Sequence, residues 1–292
     1  MKIKVNAPAK VNLAVDVLGR RPDGYHEVSL ILQAVSLYDV ITITTNDSDE
    51  ITVSCNAPGI PCDKTNIVCK TAQRFFKVTG VEPVGININI EKVIPSQAGL
   101  GGGSSDGAAV VMGLNALFNT HLKTSQLEEI GGFVGADIPF FINGGTQLAK
   151  GIGTEMQKLR SLPDCHIVVC KPDNVSVSTK EAYDAIDSAP TKQFKYSDEV
   201  IKGLYMHSLN SVCTSMYNDF DVFLNIDEVN AIKKFMYDNK ASGACMSGSG
   251  SAVFGIFKKE KSAQACVDGL KAKYSQTFLC KPIKIGCEVV LA

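Results

Sequence analysis

Four glycines and two serines fall within residues 99–105 of the stretch Pro95-Ser-Gln-Ala-Gly-Leu-Gly-Gly-Gly-Ser-Ser-Asp-Gly-Ala-Ala109, which runs straight into the apolar segment 108–118. Glycine lets the backbone take positive φ and approach a ligand closely. A helix starting just after such a loop offers unpaired N–H groups and the positive end of its dipole. Together these make an anion site, most often a phosphate site. The backbone N–H groups of Gly102, Gly103 and Ser104 can face phosphate oxygens. A Ser104 or Ser105 hydroxyl can donate to phosphate or bind Mg²⁺, while the other serine caps the helix. Asp106 falls in the first turn, where a carboxylate suits the dipole but repels phosphate. The loop is not a Walker A loop, since the chain has no Gly-Lys pair. Nor is it a dinucleotide fingerprint, because Ser104 stands where the third glycine belongs.

Other residues could serve phosphoryl transfer, which needs phosphates held, a hydroxyl oriented and its proton removed. Asp137 precedes Ile-Pro-Phe-Phe141, and burial beside such a run tends to raise a carboxyl pKa. By type and position it suits a proton acceptor and a cap on a helix beginning near Ile138 equally well. Lys10, between Ala9 and Val11, has the look of a solvated edge lysine, and Lys92 that of an exposed strand end. Tyr25-His26 follows the turn Pro22-Asp-Gly24 into a strand. Ala244-Cys-Met-Ser-Gly-Ser-Gly-Ser-Ala252 is a second glycine-serine turn. Gly107 lies inside the expected helix, where glycine costs roughly 0.5–1 kcal/mol relative to alanine. Gly107→Ala is therefore expected to be neutral or slightly stabilising.

These groups need a scaffold. Ile86-Asn-Ile-Asn-Ile-Glu-Lys92 alternates strictly and predicts the strand that feeds the glycine loop. Alternation over 11–17 predicts a half-buried strand. Residues 29–35 and 40–45 predict two more, and 66–77 a helix. Ser125-Gln-Leu-Glu128 predicts a capping box for a helix to about Val134. After about residue 155 a second α/β unit follows, with 155–163 as a loose junction. It has strands at 166–170, 252–257 and 284–291, and helices near 179–186, 197–207, 227–239 and 262–273. The 292 residues, 45% hydrophobic, are ample for one large or two smaller domains. Lys plus Arg number 29 against 30 Asp plus Glu, so no basic excess points to nucleic acid. No apolar run reaches membrane-spanning length, and the N-terminus lacks the apolar stretch of a signal peptide. Ten cysteines without Cys-x-x-Cys or zinc spacing read as small apolar residues in a reducing cytoplasm. A monomer or weak homodimer is expected.

The glycine loop resembles the P-x-x-x-G-L-G-S-S-A-A phosphate loop of the GHMP small-molecule kinases, which include galacto-, homoserine, mevalonate and phosphomevalonate kinases. Three further segments match in family order: Ala7-Pro-Ala-Lys-Val-Asn-Leu13 with Arg21-Pro-Asp-Gly-Tyr-His26, Gly135-Ala-Asp-Ile-Pro-Phe-Phe141, and Met246-Ser-Gly-Ser-Gly-Ser-Ala252. The matches run from near the first residue to about 255, and four ordered motifs are far more specific than one loop. Gly107 departs from the pattern, where alanine is usual. The resemblance implies an α+β fold of two domains, 1–155 and 156–292, the second ferredoxin-like, with the active site in the cleft between them. It implies ATP and Mg²⁺. ATP would lie on Lys92, Pro95, Gly99, Leu100, Gly101, Gly102, Gly103, Ser104 and Ser105, with Ser105 toward the metal and Lys92 toward adenine. Asp137 would be the general base, assisted by Lys10. The extra glycines of the loop resemble a branch whose small-molecule acceptor is a methylerythritol carrying a cytidine diphosphate group, phosphorylated on its 2-hydroxyl in the non-mevalonate route to isopentenyl diphosphate. There Asn12 would meet the methylerythritol part, Tyr25 and Tyr183 would sandwich the cytosine, and His26 would bond its edge. Thr179, Gly248 and Ser249 would contribute further contacts. A kinase of the homoserine or mevalonate type, or a non-catalytic nucleotide-binding relative, remains the alternative.

Overall fold

The long alternating segments at the N-terminus build the floor of the molecule. In the computed structural model, which describes residues 1–82, 84–187 and 194–290, β1 (Lys2–Arg20) and β2 (His26–Thr45) form one long antiparallel hairpin. Its register runs from Lys2 opposite Thr44 to Arg20 opposite His26, interrupted at Pro8/Ala9, Asn12/Ala14 and Val17/Gly19. The two strands expected at 29–35 and 40–45 are thus one. The expected half-buried strand at 11–17 is instead buried on both faces. Helices cover one face of the hairpin, and the second half of the chain covers the other. That is why Lys10, Asn12 and Asp16 are all buried.

Around the hairpin the order is β3 (Ile51–Cys55), α1 (Ile67–Thr79), β4 (Ile86–Glu91), α2 (Gly102–Leu117), α3 (Thr124–Gly132), α4 (Ile138–Asn143), β5 (Thr146–Gly151) and β6 (Glu155–Lys158). The main path of this sheet is β12-β1-β2-β4-β3, where β12 is Glu288–Val290, with β5 on β2, β6 on β5 and the short β8 (Tyr217–Asn218) on β1. β6 pairs from Gln147↔Lys158 to Lys150↔Glu155. The junction between the halves therefore begins after Lys158, not at Glu155. Asn66 caps α1 by accepting the Val68 N–H, and Gly80 closes it in the left-handed region. α3 begins at Thr124, two residues earlier than the Ser125–Glu128 pair implied. The Lys123 N–H donates to the Gln126 side chain at 3.0 Å, so the capping contact is made two residues earlier.

The second half contains β7 (His166–Cys170), α5 (Thr179–Asp187), α6 (Tyr196–Tyr205), α7 (Leu209–Ser215), β8 (Tyr217–Asn218), α8 (Asp219–Leu224), α9 (Asp227–Asp238), β9 (Gly243–Met246), β10 (Val253–Phe257), α10 (Glu260–Lys271), β11 (Thr277–Cys280) and β12 (Glu288–Val290). Its sheet has the order β11-β7-β10-β9, antiparallel throughout. Numbered within the unit this is 4-1-3-2, with helices in both crossovers, the split βαβ arrangement of ferredoxin-like domains. β12 returns to pair with β1 and ties the chain end to the first sheet. It covers only part of the strand expected at 284–291, of which Leu291 lies outside the described residues. Eight of the ten cysteines are buried, as expected of small apolar residues. Burial pushes the Cys165 and Cys280 thiols up to about 12. No helix among the described residues is long and apolar enough to cross a membrane.

Three apolar clusters hold these layers together. One lies under α1–α4, one between the halves beneath the glycine loop, and one around α9 and α10. Gly107 belongs to the first layer, and here packing opposes the propensity argument. A Cβ on Gly107 would lie 2.9 Å from Ile138 Cδ1 and 3.2 Å from Thr71 Oγ1. Ile138 is fully buried, so the clash cannot relax into solvent. Overpacking of this kind costs about 1–3 kcal/mol, more than the helix gain of about 1. We expect Gly107→Ala to lower stability by about 1 kcal/mol in urea titration; an unchanged or raised midpoint would restore the propensity argument.

Candidate active site

The phosphate loop enters its helix earlier than its composition suggests. α2 begins at Gly102, and Gly101 occupies the N-cap position with φ of 72° and no side-chain cap. Neither serine caps the helix: Ser104 and Ser105 already lie in its first turn. Glycine is required at 101 twice over, by that φ and because a Cβ would meet the Phe141 ring at 2.5 Å. The loop is seated on the second glycine-serine turn. Ser247 Oγ donates to Gly99 O at 2.9 Å, and the Ala252 N–H donates to Ala98 O at 3.1 Å. A Cβ on Gly99 would fall 1.9 Å from Ser247 O. Two distant glycine motifs thus form one wall.

Two cavities meet at this wall. The first, about 440 Å³, is lined by Pro95–Ser104, Lys92 and Asp106, and by residues 60–61 and 65–67 opposite. The second, about 780 Å³, is lined from the first half by Lys10, Asn12 and Asp137. From the second half come Thr179, Tyr183, Phe220 and Gly248–Gly250. Gln97, Gly99 and Gly101 belong to both. One face of the loop therefore looks into a cavity of nucleotide size, and the other into a chamber holding a lysine and an aspartate.

Lys10 is buried in the middle of β1 rather than solvated at an edge. Its backbone N–H donates to Leu100 O at 3.0 Å, and its ammonium donates to Asn12 Oδ1. Burial pushes Lys10 down to about 8, against the opposing pull of Asp137. Asp137 is half-buried and precedes α4 at the N-cap position. It has helical φ and ψ, and its carboxylate makes no capping hydrogen bond. The capping role, equally open from the sequence, is not used, and the carboxylate lines the second cavity.

Several expected contacts are placed differently. Lys92 lines the first cavity, but not as a free amine. Its ammonium is held by Asp39 Oδ2 and Asp106 Oδ2, each at 2.6 Å. Burial alone would lower Lys92, but Asp106 and Asp39 outweigh it and hold it above its ordinary value. Burial drives the Asp106 carboxyl upward despite Lys92. Ser105 is fully buried with Oγ 3.9 Å from Cys287 Sγ. It is absent from the lining of both cavities, so its placement does not fit a metal ligand. Tyr25 is 62% exposed, whereas His26 stacks directly on Tyr183, with centroids 4.4 Å apart and planes at 17°. The aromatic sandwich expected between Tyr25 and Tyr183 is thus occupied on one side by His26. The His26 edge is engaged as well, Nε2 lying 2.6 Å from Asp187 Oδ1. Thr179 Oγ1 and Ser249 Oγ lie 3.3 Å apart on the chamber rim.

Sequence reasoning missed Asn218. Its Nδ2 donates to Met246 O and Gly248 O, both at 2.8 Å, and its Oδ1 accepts the Phe220 N–H. It anchors the turn that carries Gly248. An asparagine opening a helix is a visible cap signal, but nothing in the sequence ties it to residues near 246. Asn218→Ala should cost about 1–3 kcal/mol, since it strands buried carbonyls. Chemical denaturation checks this; a loss below about 0.5 kcal/mol would show that water replaces the amide.

The chain matches the model of the GHMP kinases N terminal domain over residues 66–145, and that of the GHMP kinases C terminal over 200–276. The chain belongs to the GHMP kinase family. This GHMP kinase is 41% identical to a 4-diphosphocytidyl-2-C-methyl-D-erythritol kinase of Clostridioides difficile (strain 630), with 98% of this chain and 97% of the relative covered. It is 40% identical to one of the same name from Caldicellulosiruptor bescii, with 95% and 97% covered. Among solved structures it resembles a 4-(cytidine 5'-diphospho)-2C-methyl-D-erythritol kinase with a TM-score of 0.80 at 29% identity, covering 96% of this chain and 98% of that one. A homoserine kinase from Cytophaga hutchinsonii follows at 0.79 and 23% identity, a likeness of fold.

Proposed function

We propose that this GHMP kinase transfers the γ-phosphate of ATP to the 2-hydroxyl of 4-diphosphocytidyl-2-C-methyl-D-erythritol, the compound in its relatives' names, giving the 2-phosphate and ADP. The observation that carries this reading is the shared wall. A phosphate loop that borders both cavities at Gln97, Gly99 and Gly101 supports a donor phosphate on one side and an acceptor hydroxyl on the other. The backbone N–H groups at the start of α2 hold the phosphates. Asp137 accepts the hydroxyl proton as phosphoryl transfer begins. Lys10, fixed by Asn12, places positive charge beside that carboxylate and the developing alkoxide. Tyr183 and Phe220, ring to ring at 5.0 Å, support an apolar wall for the base. Asn12 and Gly248 support the methylerythritol and diphosphate parts, because both lie beside Lys10 on the chamber floor.

Mg²⁺ accompanies ATP in this reading. Among the described residues no group of three or more His, Cys, Asp or Glu could hold a metal. That fits an ion carried chiefly by phosphate oxygens, with Ser104 on the cavity wall as the protein oxygen. The ion would offset phosphate charge.

The test is ADP release by the purified protein with ATP and Mg²⁺, in parallel with the cytidyl substrate, mevalonate and homoserine. Turnover with the cytidyl substrate alone supports the assignment. Turnover with another acceptor would leave the family and remove the substrate; binding of ATP without turnover on any would favour a non-catalytic relative.

A further inference from the structure

We infer that Asp39, Lys92 and Asp106 form a buried clamp that fixes the phosphate loop, with Lys92 a positioning residue for ATP rather than a contact of its adenine. Asp39 on β2 is fully buried, and its Oδ1 accepts the N–H groups of both Val93 and Ile94, at 2.6 and 2.8 Å. These residues follow Lys92 just after β4, where the chain leaves the sheet for the loop. Its other oxygen accepts from Lys92 Nζ, which donates equally to Asp106 in the first turn of α2. One carboxylate therefore holds the departure of the loop, and through one ammonium it also holds the return. The backbone of Lys92 is fixed independently: its N–H donates to Asn56 Oδ1 at 2.6 Å, and the Asn56 amide donates back to Lys92 O.

The ammonium lies directly beneath the phosphate-binding turn. A Cβ on Gly102 would meet Lys92 Nζ at 3.0 Å and Ile94 Cγ2 at 3.1 Å. The first helical residue is docked on the clamp, and a glycine there keeps the approach close. Asp106 Oδ1 is buried without a hydrogen-bond partner, so the carboxyl is held through Oδ2 by Lys92, beside Asp39. A clamp of two carboxylates about one ammonium brings no net positive charge to the site. Its contribution is geometric: N–H groups already aimed at phosphate do not have to be ordered when ATP arrives. Such placement is felt strongly, since a misplacement of about 1 Å can cost 10²-fold.

This inference rests on the reading that the loop binds ATP, and the experiment separates the two. ATP·Mg²⁺ and cytidine diphosphate are titrated calorimetrically into the unaltered protein, Lys92→Met and Asp106→Ala. The clamp predicts an ATP Kd raised about tenfold or more in both variants, with cytidine diphosphate affinity within about twofold, because the acceptor chamber is lined by other residues. In turnover the loss should fall on KM for ATP more than on kcat. Removing one partner of a buried ion pair can prevent folding. Asp106→Ala deletes the tie to α2 and leaves the buried Asp39–Lys92 pair in place, which covers that outcome. Unchanged ATP affinity in folded Asp106→Ala would overturn the clamp. So would parallel loss of both ligands in that variant, which would make the triad a general support of the fold. Failure of the unaltered protein to bind ATP would overturn the functional reading, and the clamp with it.

Discussion

Asp137→Asn should lower kcat by about 10²–10⁴, the usual contribution of a general base, while the affinities for ATP and acceptor stay within a few-fold. The geometry makes this a clean substitution. Asn has the shape of Asp, and the Asp137 carboxylate carries no capping hydrogen bond whose loss would unsettle α4. Thermal midpoints of the two proteins should therefore agree within a few degrees. A second consequence follows from Lys10, which burial lowers and Asp137 raises. Without the Asp137 charge only the lowering influence stays, so any alkaline limb in the residual activity should move below pH 8. Full activity in Asp137→Asn would remove the proton-acceptor role. An unmoved limb would mean that the two groups do not sense one another in solution.

How much of this was legible beforehand depends on which forces act locally. β4 and α9 follow from periodicity, and the phosphate loop from its glycines. All are properties of neighbouring residues. The start of α2 was not legible, because Gly102 and Gly103 are poor helix formers. Their helical state is imposed by the left-handed Gly101 and by the attachment of Asp106 to Lys92, contacts made across the fold. The same holds for Lys10. Between Ala9 and Val11 it looks like an edge lysine, and only the covering of β1 from both sides buries it. Lys92 failed in the same sense: it looks like an exposed strand end, but Asp39, 53 residues away in the chain, holds its ammonium in the interior. Tyr25 and His26 exchanged emphasis for a similar reason, since the ring that His26 meets is supplied by α5. Gly107 shows the limit of propensity arguments, because its value is set by Ile138 and not by its own helix.

Lys10 sets the last and most specific expectation. Its ammonium is buried on Asn12 beneath the phosphate loop, and burial pushes it from 10.5 down to about 8 against the pull of Asp137. If the protonated form supports the developing alkoxide, kcat/KM for the acceptor should be level below pH 8 and fall tenfold per pH unit well above it. That quantity reports the free enzyme, the state the structure describes. The sign for stability is opposite. With a folded value depressed below the unfolded one, the charged lysine costs the fold stability below pH 8. The cost fades as pH rises from 8 to 10.5. Between those limits the enzyme should become more stable while it becomes less active, a pairing that general alkaline denaturation cannot produce. Lys10→Met, which fills the space without the charge, should lose about 10²–10⁴ in kcat, and its residual activity should lack the alkaline limb. Activity and stability falling together above pH 8, or a limb that persists in Lys10→Met, would assign the titration to another group and leave Lys10 only a structural place in β1.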